Sequence, residues 1–570
     1  MNNIAEQLLQ INSQAPQSVA ARLLFSQAPE QVIHYSDLIH GSAAYTHAFR
    51  RAGIQPGEVI ILILQHGADL LYAFFGAILN GSIPAIMPFL TEKLSPEQYR
   101  RSITSLFEIT TPAAVVTYPE FQDEVHKAIT PGSSVKVTLI SNQINAHPIG
   151  GSLTLSSGIS RSPGDTVLLQ HSSGTTGLQK GVALSHKAVF NQLNSYSSAL
   201  ELGQSDVIVS WLPLYHDMGL IAGFLLPILS RVPLVLLSPF DWVRAPQMLL
   251  HAVTEYKGTL TWLPNFAYNF CAQKIRTRDL EGVELSSWRA VINCSEPMYW
   301  RSHQMFLERF RPYGLNPTAL ATCYAMAENV FAVSQGGINK PVTIDRISQR
   351  ALLADRLAVP AVNGDEAINM LSAGRPINNT RVKILDSQHV EVADRHLGEI
   401  ALSSDCMLTG YYNRPDLTGH AFHRGWYLTG DLGYIADGEI YITGRKKDLI
   451  IVGGKNIYPQ DLENLASEVD GVHPGRVVAF GIPNEASGTE DVVIIAEVDT
   501  GDLRQNGDDL EDTPAFQRIG DEIRLRVTRG SDIALRLVKL VNRGWLIKTS
   551  SGKIARNANR EKYLTGLMAG

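Results

Sequence analysis

Eleven consecutive residues, His171-Ser172-Ser173-Gly174-Thr175-Thr176-Gly177-Leu178-Gln179-Lys180-Gly181, hold three glycines, four hydroxyls and one lysine. Glycines let a backbone approach an anion, successive N–H groups and hydroxyls donate to phosphate oxygens, and a lysine adds charge that neutral donors cannot supply. The composition is that of a loop for a nucleotide polyphosphate. The spacing differs from the common GxxxxGK[ST] phosphate loop, because Gln179 precedes Lys180, so kinase and GTPase readings do not follow. An ordinary Ser/Gly surface loop is the bland alternative.

The elements that must position this loop are legible as period and punctuation. An apolar run at 166–170 precedes it, and a second run follows, with a helix start at Ser185. Further runs at 59–64, 114–117, 136–140, 207–211, 234–237, 259–263 and 290–293 alternate with helix-length segments, which predicts α/β layers with largely parallel sheets. From about residue 381 the pattern changes to short strands, 382–385 and 399–402, and a hairpin of 432–435 and 439–442 joined by Ala436-Asp437-Gly438. A small β-barrel or sheet is expected there. After Gly444 the charged knot Arg445-Lys446-Lys447-Asp448 opens an α+β unit, within which 499–513 reads as a solvated loop. The expected division is a large domain over 1–443, β-rich from about 381, and a small mobile domain over 444–570.

A length of 570 residues implies more than one domain, and 45% apolar with 18% charged residues is a globular composition. The net charge of −6 names no partner, and no basic stripe or aromatic ladder marks a nucleic-acid groove. Cys271, Cys294, Cys323 and Cys406 lack CxxC or Cys/His clustering, which predicts neither a disulfide framework nor a zinc site and fits a reducing cytoplasm. The amino terminus reads as a short helix without a secretory pattern. Residues 218–240 are apolar, but Arg231, Pro227, Pro233 and Pro239 break them into a buried helix and a buried strand, so no membrane span is expected.

Several segments accompany the loop in order: Trp211-Leu-Pro-Leu-Tyr-His216-Asp-Met-Gly219, Tyr324-Ala-Met-Ala-Glu328, Gly425-Trp-Tyr-Leu-Thr-Gly-Asp431, Gly444-Arg445-Lys-Lys447-Asp and Ser551-Gly-Lys553-Ile. Together they resemble the motifs of the adenylate-forming superfamily of acyl-CoA synthetases, luciferases and peptide-synthetase adenylation domains. Within it the chain is most similar to the fatty acyl-AMP ligases, which pass acyl groups to carrier proteins of polyketide and peptide synthases. The segments 210–220, Pro264-Asn-Phe-Ala-Tyr268, Leu285-Ser-Ser-Trp288, Asn293-Cys-Ser-Glu-Pro297 and Asn456-Ile-Tyr-Pro-Gln-Asp461 carry that likeness. The 45 residues between Glu328 and Gly374 are long for a CoA-forming relative, and 334–372 stands where the ligase branch carries an insertion. Cys294 and Ala325 stand where glycine is usual, at loops expected near the adenine.

The resemblance implies ATP and Mg2+ as cofactors and assigns roles. Lys553 would bridge the carboxylate and the α-phosphate, a mobile point charge suited to in-line transfer. His216 would guard the acyl carbonyl, orienting or gating more than acting as a base. Glu328, with Thr176 assisting, would hold the magnesium. Nucleotide contacts are implied for Ser172, Ser173, Gly174, Thr175, Thr176, Gly177, Lys180, Ser295, Glu296, Pro297, Cys323, Tyr324, Ala325, Met326 and Ala327, with Tyr324 stacking on adenine. Asp431 would accept from both ribose hydroxyls, Arg445 would support it, and Lys447 would be the hinge from which the small domain swings. Each has a structural alternative: a tail lysine, a core histidine, a helix-start glutamate, a core tyrosine, a turn or surface charge.

The implied reaction is ATP-dependent activation of a fatty or related carboxylic acid to acyl-AMP, then transfer to the phosphopantetheine thiol of an acyl carrier protein. An acyl-CoA synthetase using CoA is the second reading, and a non-catalytic acyl- or nucleotide-binding module the third. Amino-acid adenylating relatives place an aspartate near residues 215–217; Asp217 is shifted from that place, which favours an unsubstituted carboxylic acid.

Overall fold

The computed structural model describes residues 3–89, 96–144, 156–172, 180–362, 367–452, 455–484, 489–498, 514–531, 535–549 and 552–569. The eight apolar runs become the strands Val59–Ile63, Ala114–Thr117, Val137–Ile140, Thr166–Ser172, Ile208–Ser210, Leu234–Leu237, Leu260–Leu263 and Ala290–Cys294. A nine-stranded sheet dominates the large body. Its middle is a parallel row in the order Leu320–Ala325, Ala290–Cys294, Leu260–Leu263, Ile208–Ser210, Leu234–Leu237, Val19–Leu24. A four-stranded parallel sheet, Ile83–Ile86, Val59–Ile63, Ala114–Thr117 and Val137–Ile140, forms a second layer. The expected amino-terminal helix is Ile4–Gln14, and Ser185 caps the helix His186–Leu200 through its Oγ, which accepts from the Ala188 N–H.

Helices separate the layers because their strands are buried on both faces, as parallel strands require. The apolar stretch 218–240 folds as expected into a buried helix and strand, its first turns, Met218–Leu225, widened to a π-helix. Gly219 permits the tight entry, since a Cβ there would lie 2.2 Å from the Pro213 carbonyl oxygen. No helix among the described residues is long and apolar enough to cross a membrane.

In the place expected of the β-rich unit stands a five-stranded antiparallel sheet including Thr380–Leu385, Gly398–Ser404, Trp426–Ala436 and Glu439–Arg445. Its hairpin turns at Asp437 and Gly438, both at positive φ (54° and 76°), a two-residue turn whose twist suits the strands. Residues 334–372 add the pair Ile344–Ser348 and Ala367–Leu371 and the helix Gln349–Ala354. Ile347, Leu352 and Ala358 of this segment pack on Tyr434, Ala436 and Tyr441 of the β-rich sheet. From Ile450 onward the chain builds apolar clusters of its own around the sheet Val472–Asn484, Thr489–Val498 and Leu535–Val541. The loop 499–513 lies outside the described residues.

Buried polar groups in the large sheet are joined in relays. The Trp262 indole N–H donates to the Tyr196 hydroxyl (2.7 Å), which donates to Gln335 Oε1 (2.9 Å), while Gln335 Nε2 donates to the Thr322 carbonyl (3.0 Å). Tyr196→Phe strands the Trp262 donor and the Gln335 acceptor, each costing about 1–3 kcal/mol when buried without a partner. The variant is expected to melt several degrees below the unaltered protein in a thermal scan; an unchanged melting temperature contradicts the relay's contribution.

Candidate active site

Polar and aromatic side chains gather where the parallel strands of the large sheet end, the crevice that open α/β sheets offer to ligands. Tyr324 lies at the end of Leu320–Ala325 and Glu328 just past it; past Ala290–Cys294 come Ser295 and Glu296; past Leu260–Leu263, Phe266; past Ile208–Ser210, His216 and Asp217. Lys553 arrives from the far end of the chain.

The loop that presents Lys553 is tight. Gly552 adopts φ +87°, the Thr549 N–H donates to the Lys553 carbonyl (2.7 Å), and the Lys553 N–H donates to Thr549 Oγ1 (3.2 Å). Lys553 Nζ donates to the Ser295 carbonyl at 2.5 Å, and Ser295 turns that carbonyl outward through a left-handed backbone, φ +69°. Burial, reinforced by the Lys553 ammonium, pushes the His216 pKa down to about 3, so its imidazole is neutral at physiological pH. His216 Nε2 is buried without a partner among the described residues. Burial raises the Asp217 pKa, and Lys553 and the Met218 N–H, which donates to Asp217 Oδ1 (2.8 Å), oppose that rise. An ammonium, a neutral imidazole and a carboxylate thus share one corner.

A second cluster lies at the other end of the row. Asp431 and Arg445 face each other across the hairpin, with Arg445 Nε donating to Asp431 Oδ1 (2.9 Å) and the Tyr324 hydroxyl donating to Oδ2 (2.7 Å). Burial and then Asp431 drive the Tyr324 phenol well above its ordinary pKa, and Asp431 raises that of Arg445. Both Asp431 oxygens are engaged, yet each carboxylate oxygen has a further lone pair with which to accept a ribose hydroxyl. Lys447 lies in the Lys446–Asp448 turn beside Arg445, its pKa lowered by burial and then by that guanidinium.

Glu328 lies between the clusters. Its Oε1 accepts from the Tyr411 hydroxyl (2.8 Å), which also bonds the Tyr427 hydroxyl (3.0 Å), and Lys180 Nζ lies 4.9 Å from the Tyr411 ring centroid. No group of three or more His, Cys, Asp and Glu among the described residues could by itself hold a metal ion. A single carboxylate fits Mg2+, which keeps several waters and takes its remaining ligands from substrate phosphates.

The other sequence-predicted residues are placed as follows. Ser173, Gly174, Thr175, Thr176 and Gly177, with the Ser172 side chain, lie outside the described residues. The Cys323 thiol is buried beside Cys294 and Tyr196, its strand in register with that of Cys294, so it offers the site only backbone. Glu296 Oε2 accepts from the Phe266 N–H (2.9 Å) in the first turn of the helix Asn265–Lys274, and Pro297 is exposed. Ala325, Met326 and Ala327 run from the strand into the short turn that aims Glu328. Sequence reasoning missed Tyr411, a hydroxyl within an otherwise unremarked Gly-Tyr-Tyr. It also missed Arg556, three residues past Lys553, which reaches Asp448 at the joint (2.7 Å), Glu463 (2.8 Å) and the Ala479 carbonyl (2.9 Å). A lone arginine in a charged tail gave no signal that it ties the lysine loop to the joint.

Comparison with known proteins matches the geometry. The family described as AMP-binding enzyme matches residues 11–412. A putative acyl-CoA synthetase of Caulobacter vibrioides (strain NA1000 / CB15N) is 30% identical over 541 residues, covering 94% of this chain and 91% of the relative. A medium-chain-fatty-acid–[acyl-carrier-protein] ligase, JamA, of Moorena producens (strain JHB) is 32% identical over 413 residues, 70% of this chain and 68% of that one. The crystal structure of a fatty acid AMP ligase from Legionella pneumophila superposes with a TM-score of 0.72 at 27% identity, covering 99% of this chain and 96% of the other. With the family matched over most of its length and a relative of this similarity spanning nearly all of it, the chain belongs to the AMP-binding enzymes.

Proposed function

We propose that this protein activates a fatty or related carboxylic acid with ATP, forming acyl-AMP and pyrophosphate, and hands the acyl group to the phosphopantetheine thiol of an acyl carrier protein. The observation that carries the reading is the Lys553 ammonium on the Ser295 carbonyl, next to His216 and Asp217, with the Asp431 cluster at the other end of the same row. A fatty carboxylate is already ionised near pH 7, so attack on the α-phosphorus needs positioned charge and no general base. A neutral His216 suits that chemistry as an orienting group. Lys553 neutralises charge where carboxylate and α-phosphate meet; Asp431 and Arg445 fix the ribose; Tyr324 lies against the adenine. The loop 172–177 and Lys180 hold the phosphates, and Glu328, assisted by Thr176, would hold Mg2+, which supplies charge neutralisation on the departing pyrophosphate. The four free cysteines, all buried, suit a cytoplasmic setting.

The acceptor divides the relatives, one being a putative acyl-CoA synthetase and another acting on an acyl carrier protein. The carrier reading is supported by the segment 334–372. It is anchored on the β-rich sheet, with Asp345 Oδ2 accepting from the Tyr434 hydroxyl and from Arg395 (2.9 Å each), and it reaches residues past the joint through Gln349 Nε2, which donates to the Gly530 carbonyl (3.3 Å). We take residues 444–570 as a lid turning about Lys447 on the body 1–443. A tether at Gln349 restrains that turn, and with it the pose in which CoA would be accepted.

Two measurements test this. Lys553→Ala is expected to lower fatty-acid-dependent ATP–pyrophosphate exchange by about 10²–10³-fold, the usual cost of one transition-state charge partner, with ATP affinity within a few-fold. Exchange like that of the unaltered protein contradicts the role. Given ATP, Mg2+, fatty acid and CoA, the protein is expected to accumulate acyl-AMP and to turn over when a holo carrier protein is added. Acyl-CoA formed as fast as adenylate favours the synthetase reading.

A further inference from the structure

Four tryptophans are almost wholly buried, and they fall into two kinds. Trp262 and Trp288 spend their indole N–H on Tyr196 (2.7 Å) and on Thr261 Oγ1 (2.9 Å). Trp211 and Trp242, 4% and 0% exposed, are stacked face to face, ring centroids 3.5 Å apart and planes 7° off parallel, and neither N–H has an acceptor among the described residues. Buried indole N–H groups normally find a partner. Two orphaned donors on one stacked pair are a feature that packing alone does not require, since a phenylalanine pair would fill such a core without stranding a donor.

The position of the pair gives the donors a purpose. Trp211 follows Ile208–Ser210 and lies five residues before His216; Trp242 lies on the helix Pro239–Arg244, which follows Leu234–Leu237. Phe266 closes on both indoles edge-on (6.3 Å to each), and its N–H is held by Glu296, the neighbour of Ser295. The strand ends therefore run in sheet order from Tyr324 and Asp431, through Ser295 and Lys553, past Phe266, to Trp211 and then Trp242. Adenosine at one end and the reacting carboxylate at Lys553 leave the acyl chain to run toward the tryptophans. Strands about 4.8 Å apart put the pair about 10–14 Å beyond the carboxylate, within reach of a medium-length chain. His216 Nε2, five residues along the chain from Trp211, and Asn269 Oδ1, on the same helix as Phe266, are likewise buried without a partner among the described residues.

Resting on the ligase reading above, we propose that the Trp211–Trp242 pair is a hydrogen-bond donor site for an oxygen carried part-way along the acyl chain, so that the substrate class is a hydroxy- or oxo-carboxylic acid and not a plain saturated one. A ketone or hydroxyl oxygen has two lone pairs and can accept from both indoles, whereas a methylene leaves both donors unpaid. A site built to bond a substrate oxygen discriminates strongly against the analogue that lacks it.

The test is kcat/KM for pyrophosphate release with dodecanoic acid and with a positional series of monohydroxy- and oxo-dodecanoic acids. At least one oxygenated isomer is expected to exceed dodecanoic acid by about tenfold or more. Trp242→Phe and, separately, Trp211→Phe are expected to bring that ratio toward unity, a change that general loosening of the core does not produce because it depresses all acids alike. If one variant does not fold, the other and the ratio in the unaltered protein still decide. Dodecanoic acid used as well as every oxygenated isomer, or a preference that survives in both variants, overturns the inference and leaves the ligase reading standing. No pyrophosphate release with any acid overturns both.

Discussion

One cation must reach a half-buried backbone carbonyl in mid-chain from close to the far end of the sequence. Lys553 and Ser295 are 258 residues apart, and the ammonium on that carbonyl is the contact that makes two separately packed bodies into one site. Much of the surrounding architecture serves it. A left-handed residue turns the carbonyl out, a glycine turn aims the lysine, and Arg556 ties the lysine's loop to the joint and to the helix Pro459–Ser467. If residues 444–570 turn as the proposed lid, an ion held this way is delivered by a rigid-body position, and its presence can be switched without altering the pocket.

The parallel sheet supplies the other half of the arrangement. Five neighbouring strands end in one crevice, and each contributes a residue whose place in the row follows strand order, not sequence order. Polar chemistry stands toward the strand Leu320–Ala325 and aromatic packing toward Leu234–Leu237, an order that on the proposed reading would separate a charged nucleotide from an apolar chain along one direction. His216 lies where the two meet, and burial keeps it neutral there.

Apolar period made the eight strand runs legible, whereas the glycine- and hydroxyl-rich residues 173–179 lie outside the described residues. Two elements were hidden by their own residues. Val19–Leu24 carries Arg22 in mid-strand, paired with Glu30 (2.5 Å), which breaks the apolar pattern. Ile83–Ile86 carries Pro84, which reads as a breaker but is tolerated because the strand lies at the edge of its sheet. The resemblance gave Lys553, Glu328, Asp431 and Arg445 as single residues, whereas the partners that hold them are long-range. Tyr411 meets Glu328 across 83 positions and Tyr324 meets Asp431 across 107, separations that no local pattern encodes.

The central claim is that Lys553 is held for a charge that exists only when carboxylate and α-phosphate are joined. A crystal structure of the protein with a non-hydrolysable acyl sulfamoyl adenosine tests it most directly. The account predicts adenosine at Tyr324 and Asp431, the acyl chain running toward Trp211, and Lys553 Nζ moved from the Ser295 carbonyl onto the acyl and sulfamoyl oxygens that flank the linking nitrogen. Density with the adenosine elsewhere, or with Lys553 still on Ser295 and no contact to the ligand, would contradict it.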